Sequence, residues 1–469
     1  MVAPAGHAPW NLHMKRLDRS HPPRRPSPGS DAARAIHALP WATWTAARLA
    51  AALPLIWAGM LLLAPARAQW PGWRGVARDG RSSQPLPAAL PTHLIPEWKL
   101  PVGHGYAGPV SDGGVLVYVD DTGGREMAHA LDARSGKELW RAAYASAWSD
   151  EFEPGPRCTP LIEGDRVYVQ SAQGELACLA LKDGALLWRM AFADLGMAWN
   201  PDRHSNVGAA IRRGHTGSPI VDGDRILVQA GSTNNAAIVA ADRRTGRILW
   251  RSLSEHTSYS SPVVGTLAGR RQFITATCEG LVGLDVADGS LLWRVPFKTH
   301  ANRNVLTPVL SGNRVLFASH STGMRCIELS ATTNAPGSPA VVAREAWLNT
   351  SLRINLPTPV LVGGHLYGIG AGKDFACINI TNGVVAWSEK GYGEVANVVT
   401  DGTRLLALCD SGEARLLAAD PVRHVELGRF QACGKTYSQP AWAEGVLYVK
   451  DPGTLVAWRL APAPTPTKP

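Results

Sequence analysis

From Pro160 the chain alternates in short bursts. Leu161-Ile162 is followed by the polar turn Glu163-Gly164-Asp165-Arg166 and then by Val167-Tyr168-Val169-Gln170. A second pair of runs comes next, Glu175-Leu176-Ala177-Cys178-Leu179 after Gly174 and Leu186-Leu187-Trp188-Arg189 after Gly184. Apolar residues alternating with polar ones and punctuated by Gly and Asp predict four short antiparallel strands.

The unit recurs along the chain. Its opening prolines are Pro109, Pro160, Pro219, Pro262, Pro308, Pro359 and Pro440, and Asn397 holds the position in a degenerate seventh copy. Its closing tryptophans are Trp140, Trp188, Trp250, Trp293, Trp347 and Trp387. A repeat of roughly 40–50 residues with four strands per copy predicts a β-propeller blade. The eighth copy stops after Leu455-Val456-Ala457-Trp458 without an outer strand, whereas Glu97-Trp98-Lys99-Leu100 is an outer strand with no blade before it. Joining the two closes a ring and removes exposed sheet edges. The fold class expected is therefore all-β, an eight-bladed propeller of four-stranded blades, with seven or nine blades as the alternatives.

Each copy ends in the pattern A-x-D-x-x-x-G-x-x-x-W. It reads Ala130, Asp132, Gly136, Trp140 in the first copy and Ala240, Asp242, Gly246, Trp250 in the third. The fourth has Gly283, Asp285, Gly289, Trp293, and the sixth Cys377, Asn379, Gly383, Trp387. Gly supplies the turn conformation, Asp caps the turn amides, and Trp is a flat apolar slab between sheets. The pattern resembles the tryptophan-docking motif of PQQ-type (quinoprotein) propellers, over nearly all of residues 97–460. The segment Trp70-Pro71-Gly72-Trp73-Arg74-Gly75 with Arg78-Asp79-Gly80 resembles the leader of secreted PQQ-like repeat proteins. In this register Cys178, Cys326 and Cys377 take the place of Ala130, as small buried strand residues. Seven cysteines without a C-x-x-C or C-x-x-C-H pattern give no sign of a zinc or haem site.

The formal charge of +9 suggests nucleic acid until it is located. Lys15, Arg16, Arg19, Arg24, Arg25, Arg34, Arg48 and Arg67, set against Asp18 and Asp31, leave only a small surplus beyond residue 68. No basic run interleaved with aromatics follows, which argues against a phosphate-tracking groove. The basic stretch instead precedes an apolar run from Leu49 to Leu63 and a small-x-small site, Ala66-Arg67-Ala68. This reads as a cleaved export signal, with Met14 as an alternative start and an uncleaved anchor as the competing reading. The expected organisation is a signal peptide at 1–68, a leader at 69–95, the propeller at 96–460 and a disordered Pro-rich tail at 461–469. The location expected is periplasmic or extracellular, with no membrane span in the mature chain.

Segments joining each outer strand to the next inner strand converge on one face around the channel, where binding residues tend to sit. Three residues before the opening position stand Tyr106, Arg157, Tyr259, Glu394 and Tyr437, and four before it His215, Asn304 and Asn355. The longest connection adds Arg203 and His204, and Arg353 lies nearby. Arg, His, Asn and Tyr together suit an anionic or polyhydroxylated ligand. His204, His215, His256 and His300 lack a metal-ligand spacing, so no metal is expected. Two classes of function remain. One is a non-catalytic exported propeller holding a small ligand or an envelope protein, a type that outer-membrane assembly scaffolds resemble. The other is a quinoprotein dehydrogenase with PQQ and calcium, which the resemblance implies would need an Asp base and a carboxylate-rich calcium site. Acidic residues at the mouth are few, chiefly Glu394 and Glu255, and adjacent paired cysteines are absent, so the non-catalytic reading is favoured and no catalytic residue is assigned.

Overall fold

The computed structural model describes residues 69–151, 153–198, 213–332 and 340–461. The export-signal segment, Arg203, His204 and the tail beyond Ala461 lie outside the described residues. The chain forms eight four-stranded antiparallel sheets. Seven are built from consecutive strands: 110–146, 161–191, 220–252, 263–296, 309–349, 360–389 and 396–431. The eighth joins 441–459 to the N-terminal strand Trp98–Pro101, with Trp98 opposite Ala457 and Leu100 opposite Leu455. The chain is thus an eight-bladed β-propeller closed by its own N-terminal strand. Among the described residues no helix is long and apolar enough to cross a membrane.

The repeat pattern resolves into a docking joint between blades. The Trp140 indole N–H donates to the Leu181 carbonyl of the next blade at 2.7 Å, and Trp188, Trp250, Trp347 and Trp387 likewise donate to Arg243, Val286, Ile380 and Asp420. Each ring except Trp387 lies on the next blade's turn glycine. That glycine has positive φ, +72° at Gly184, and a Cβ there would stand 2.6 Å from the Trp140 ring. Glycine is therefore required twice over, by backbone conformation and by contact. Asp132, Asp242 and Asp285 accept the turn amides of Ser135, Thr245 and Ala287 at 2.8 Å.

Two tryptophans depart from the sequence pattern. Trp98, read only as strand, is the docking residue of the closing blade: it lies on Gly136 and donates to Ala133 O at 3.2 Å. Trp293 is buried among side chains of blades 4 and 5, but its indole turns back to Gln272 Oε1 of its own blade at 2.6 Å. The physical reason lies in blade 5, whose third strand continues through Leu329-Ser330-Ala331-Thr332 where other blades turn at Asp and Gly.

Seven blades carry a β-bulge one residue before the docking position, at Leu139, Leu187, Leu249, Leu292, Ala346, Ala386 and Leu427. The extra residue bends the outer strand and shifts the alternation by one, which turns the following side chain toward the next blade. Cys178, Cys326 and Cys377 stand directly opposite Trp188, Trp347 and Trp387, where a small side chain leaves room for the indole. All three are fully buried, and no cysteine of the chain is in a disulfide.

Candidate functional site

The innermost strands are edge strands, so their outward carbonyls and amides would face the channel unpaired. Residues 70–84 meet them. Trp70 exchanges both backbone bonds with Ser111 of blade 1, and Ile162 N of blade 2 donates to Pro71 O at 2.8 Å. Arg78 donates to Ser218 and Pro219 of blade 3 and to Pro262 of blade 4. Trp73 donates to Thr307 of blade 5, and Arg74 to Thr358 and Pro359 of blade 6. Gly80 and Ser82 bond Thr400 of blade 7, and Gln84 accepts from Gly445 N of blade 8. One segment is thereby hydrogen-bonded to all eight blades. Guanidinium suits the task because it presents five donors and no acceptor to a ring of carbonyls. Burial lowers Arg78 to about 9 and Arg74 to about 10, with Asp79 partly opposing the fall at Arg74. Both remain cationic at neutral pH.

At the mouth, the sequence-predicted residues fall into separate groups. Tyr106, Arg157 and Tyr437 come together where blades 8, 1 and 2 meet. The two tyrosine rings are 5.4 Å apart, and the Arg157 guanidinium lies 4.9 Å from the Tyr106 centroid. Lys435 approaches the Tyr437 ring at 5.8 Å, and Arg157 pairs with Asp150 at 3.0 Å. Burial raises the Tyr106 phenol, with Glu153 adding to the effect. Beneath this group Lys450 is fully buried and donates to Gly105 O at 2.8 Å; burial lowers it to about 8.

A second group spans blades 4 to 6. Tyr259 N donates to Asn304 O at 3.0 Å, Asn304 Nδ2 to Thr277 O at 2.8 Å, and Arg303 to Asn355 Oδ1 at 2.9 Å. Tyr259 and Asn304 are buried, so they shape the loops from within. His215 is also buried, edge-on to Phe192 at 5.1 Å, and desolvation lowers it to about 4. It stands behind the mouth as a neutral ring instead of lining it. Arg353 is exposed, and Glu394 is exposed and paired with Lys373. Sequence reasoning missed Asp150, Lys435, Lys450 and the channel role of Arg74 and Arg78. The leader's Arg-Gly and Arg-Asp-Gly signal was visible, but nothing local indicates that it enters a channel.

The carboxylates named at the mouth already have side-chain partners. Asp150 serves Arg157 and lies 4.0 Å from Arg213, Glu153 meets His104, and Glu394 meets Lys373. Glu255 is gripped by both Arg294 nitrogens, at 2.7 and 3.0 Å. Among the described residues no three His, Cys, Asp or Glu side chains are grouped to hold a metal ion. This donor set does not fit the calcium-held quinone of a dehydrogenase.

A family model described as outer membrane protein assembly factor BamB matches residues 124–389. The chain is 22% identical over 266 residues to the outer membrane protein assembly factor BamB of Moranella endobia, an alignment covering 56% of this chain and 63% of that protein. It is 27% identical over 176 residues to the 1-butanol dehydrogenase (quinone) of Thauera butanivorans, covering 34% of this chain and 25% of the enzyme. The chain thus spans less than two thirds of the length of these relatives. In fold it is similar to BamB from Moraxella catarrhalis, with a TM-score of 0.53 and 16% identity over 78% of this chain and 98% of that one.

Proposed function

Because this chain belongs to the outer membrane protein assembly factor BamB family, we propose that it is a non-catalytic scaffold of the bacterial envelope that holds an envelope protein at its channel mouth. The observation that supports the reading is the leader, which bonds all eight blades along the channel and takes up the donors and acceptors of their inner edges. The mouth keeps what a protein contact needs. Tyr106 and Tyr437 present rigid, half-exposed rings flanked by Arg157 and Lys435, and Tyr and Arg are the residues that most often anchor interfaces. Export through residues 1–68 would deliver the chain to that compartment.

Two measurements test this. Titrating the purified protein with pyrroloquinoline quinone and calcium should change neither the absorbance spectrum nor the melting temperature; a 1:1 spectral change with a thermal shift would restore the dehydrogenase. Deleting the gene should lower the amount of folded outer-membrane β-barrel protein, and restoring it with a Tyr106→Ala, Tyr437→Ala variant should rescue poorly. Full rescue would remove the mouth from the reading.

A further inference from the structure

The bulge before the docking tryptophans of blades 1, 2 and 3 changes what the outer wall displays. In blades 1, 2 and 3 the strand reads Leu-Trp-Arg: Leu139-Trp140-Arg141, Leu187-Trp188-Arg189 and Leu249-Trp250-Arg251. The tryptophan turns inward to dock. The bulged leucines stay 52%, 45% and 36% exposed, and the three arginines are exposed too. Across the bulge the register, not sequence spacing, sets the sides: Leu186 and Arg189 stand opposite Leu179 and Ala177, two apart on their own strand, so blade 2 presents an apolar and a cationic group on one side, and in blade 3 the exposed bulged Leu249 stands two positions before Arg251. Leu186 widens the apolar part on blade 2.

The arginines differ in their surroundings. Arg141 has Glu138 at 3.9 Å, whereas Arg189 and Arg251 make no ion pair among the described residues and stand opposite Ala177 and Val239. The pattern ends at blade 4, where Leu292 is half-buried and Arg294 is taken by Glu255. In blade 5 the residue after the tryptophan is Leu348 and in blade 6 it is Ser388.

We propose that the outer wall of blades 2 and 3 is a docking surface for an acidic, apolar-flanked extended polypeptide segment, seated on Leu186, Leu187, Arg189, Leu249 and Arg251. Charge complementarity identifies the occupant: two uncompensated guanidiniums beside exposed leucines match carboxylates alternating with apolar side chains. The wall of a propeller is convex across neighbouring blades, which suits a segment crossing it and not a flat bilayer. The surface is separate from the mouth and does not depend on what the mouth holds.

The test uses the full mature chain and a fluorescein-labelled octapeptide of alternating leucine and aspartate, followed by anisotropy. Binding should weaken with added salt, and Arg189→Glu with Arg251→Glu should weaken it by roughly tenfold or more, since two attractions are lost and charge reversal adds repulsion. The same pair of changes should favour a leucine–lysine octapeptide. Leu187→Ser with Leu249→Ser is the second arm, for the case in which the charge variant melts early. Variants of both arms that bind the acidic peptide as tightly as the unaltered chain, equal binding of acidic and basic peptides by the unaltered chain, or Arg189-dependent sedimentation with phosphatidylglycerol vesicles would each overturn the proposal.

Discussion

At the scale of single residues, burial decides which titratable groups matter. Glu126 is fully buried, with one carboxyl oxygen accepting from Ala172 N at 3.3 Å, and desolvation raises it to about 8. Its folded value lies above its ordinary one, so the fold holds a proton that the unfolded chain releases, and stability falls as pH rises through that window. Glu126→Gln should remove the fall and raise the melting temperature at pH 8 while leaving pH 4 nearly unchanged; a parallel drop at both pH values would contradict it. His215 has the opposite sign. Its depressed value means a stabilising contribution present above about 6.5 and lost as pH falls toward 4, so His215→Phe should unfold less readily than the parent near pH 5. Neither group announces itself locally. A Glu at the head of a strand reads as solvated until a neighbouring blade covers it.

At the scale of elements, the joint between blades is one tryptophan, one glycine and one bulge. Leu187→Ala should be nearly neutral, because the side chain is exposed. Deleting Leu187 removes the bulge and puts residues on its two sides out of phase, and a one-residue slip exchanges buried for exposed faces. That deletion should cost more than about 3 kcal/mol in urea unfolding, and a cost as small as that of Leu187→Ala would discard the account. The four strands, the turns and six of the tryptophans were legible in the sequence because they are local. The bulge was not, since it is a relation between a strand and its partner, and Trp98 lacked its role because its glycine lies in the first blade and its own blade in the last.

At the scale of the whole molecule, closure rests on two devices drawn from the N-terminal part of the described chain. The strand Trp98–Pro101 completes the eighth blade, and residues 70–84 bond every blade from within. Trp98→Ala should cost about 3–5 kcal/mol and raise amide exchange in 441–459, whereas Trp140→Ala should leave that blade protected. Arg78→Ala leaves the carbonyls of Ser218, Pro219 and Pro262 without their donor and should cost about 3 kcal/mol. Arg78→Lys should recover only part of the loss, because the three carbonyls are bonded from two nitrogens of a planar guanidinium, whereas an ammonium brings its donors on one nitrogen at a shorter reach. A lysine variant as stable as the parent would mean that charge alone holds the centre.

The sequence by itself determined the repeat, the strand order within a blade and the closure of the ring. Periodicity, turn residues and an unmatched strand at each end are written along one chain and need no neighbour to be read. Only the tertiary structure decided the fate of the channel and the grouping of the mouth. Arg74 and Arg78 become a plug because eight carbonyl-bearing edges converge on one axis, and His215 leaves the mouth because another blade covers it. A carboxylate or guanidinium is committed or available according to what the ring brings beside it, and that depends on distance in space and not along the chain.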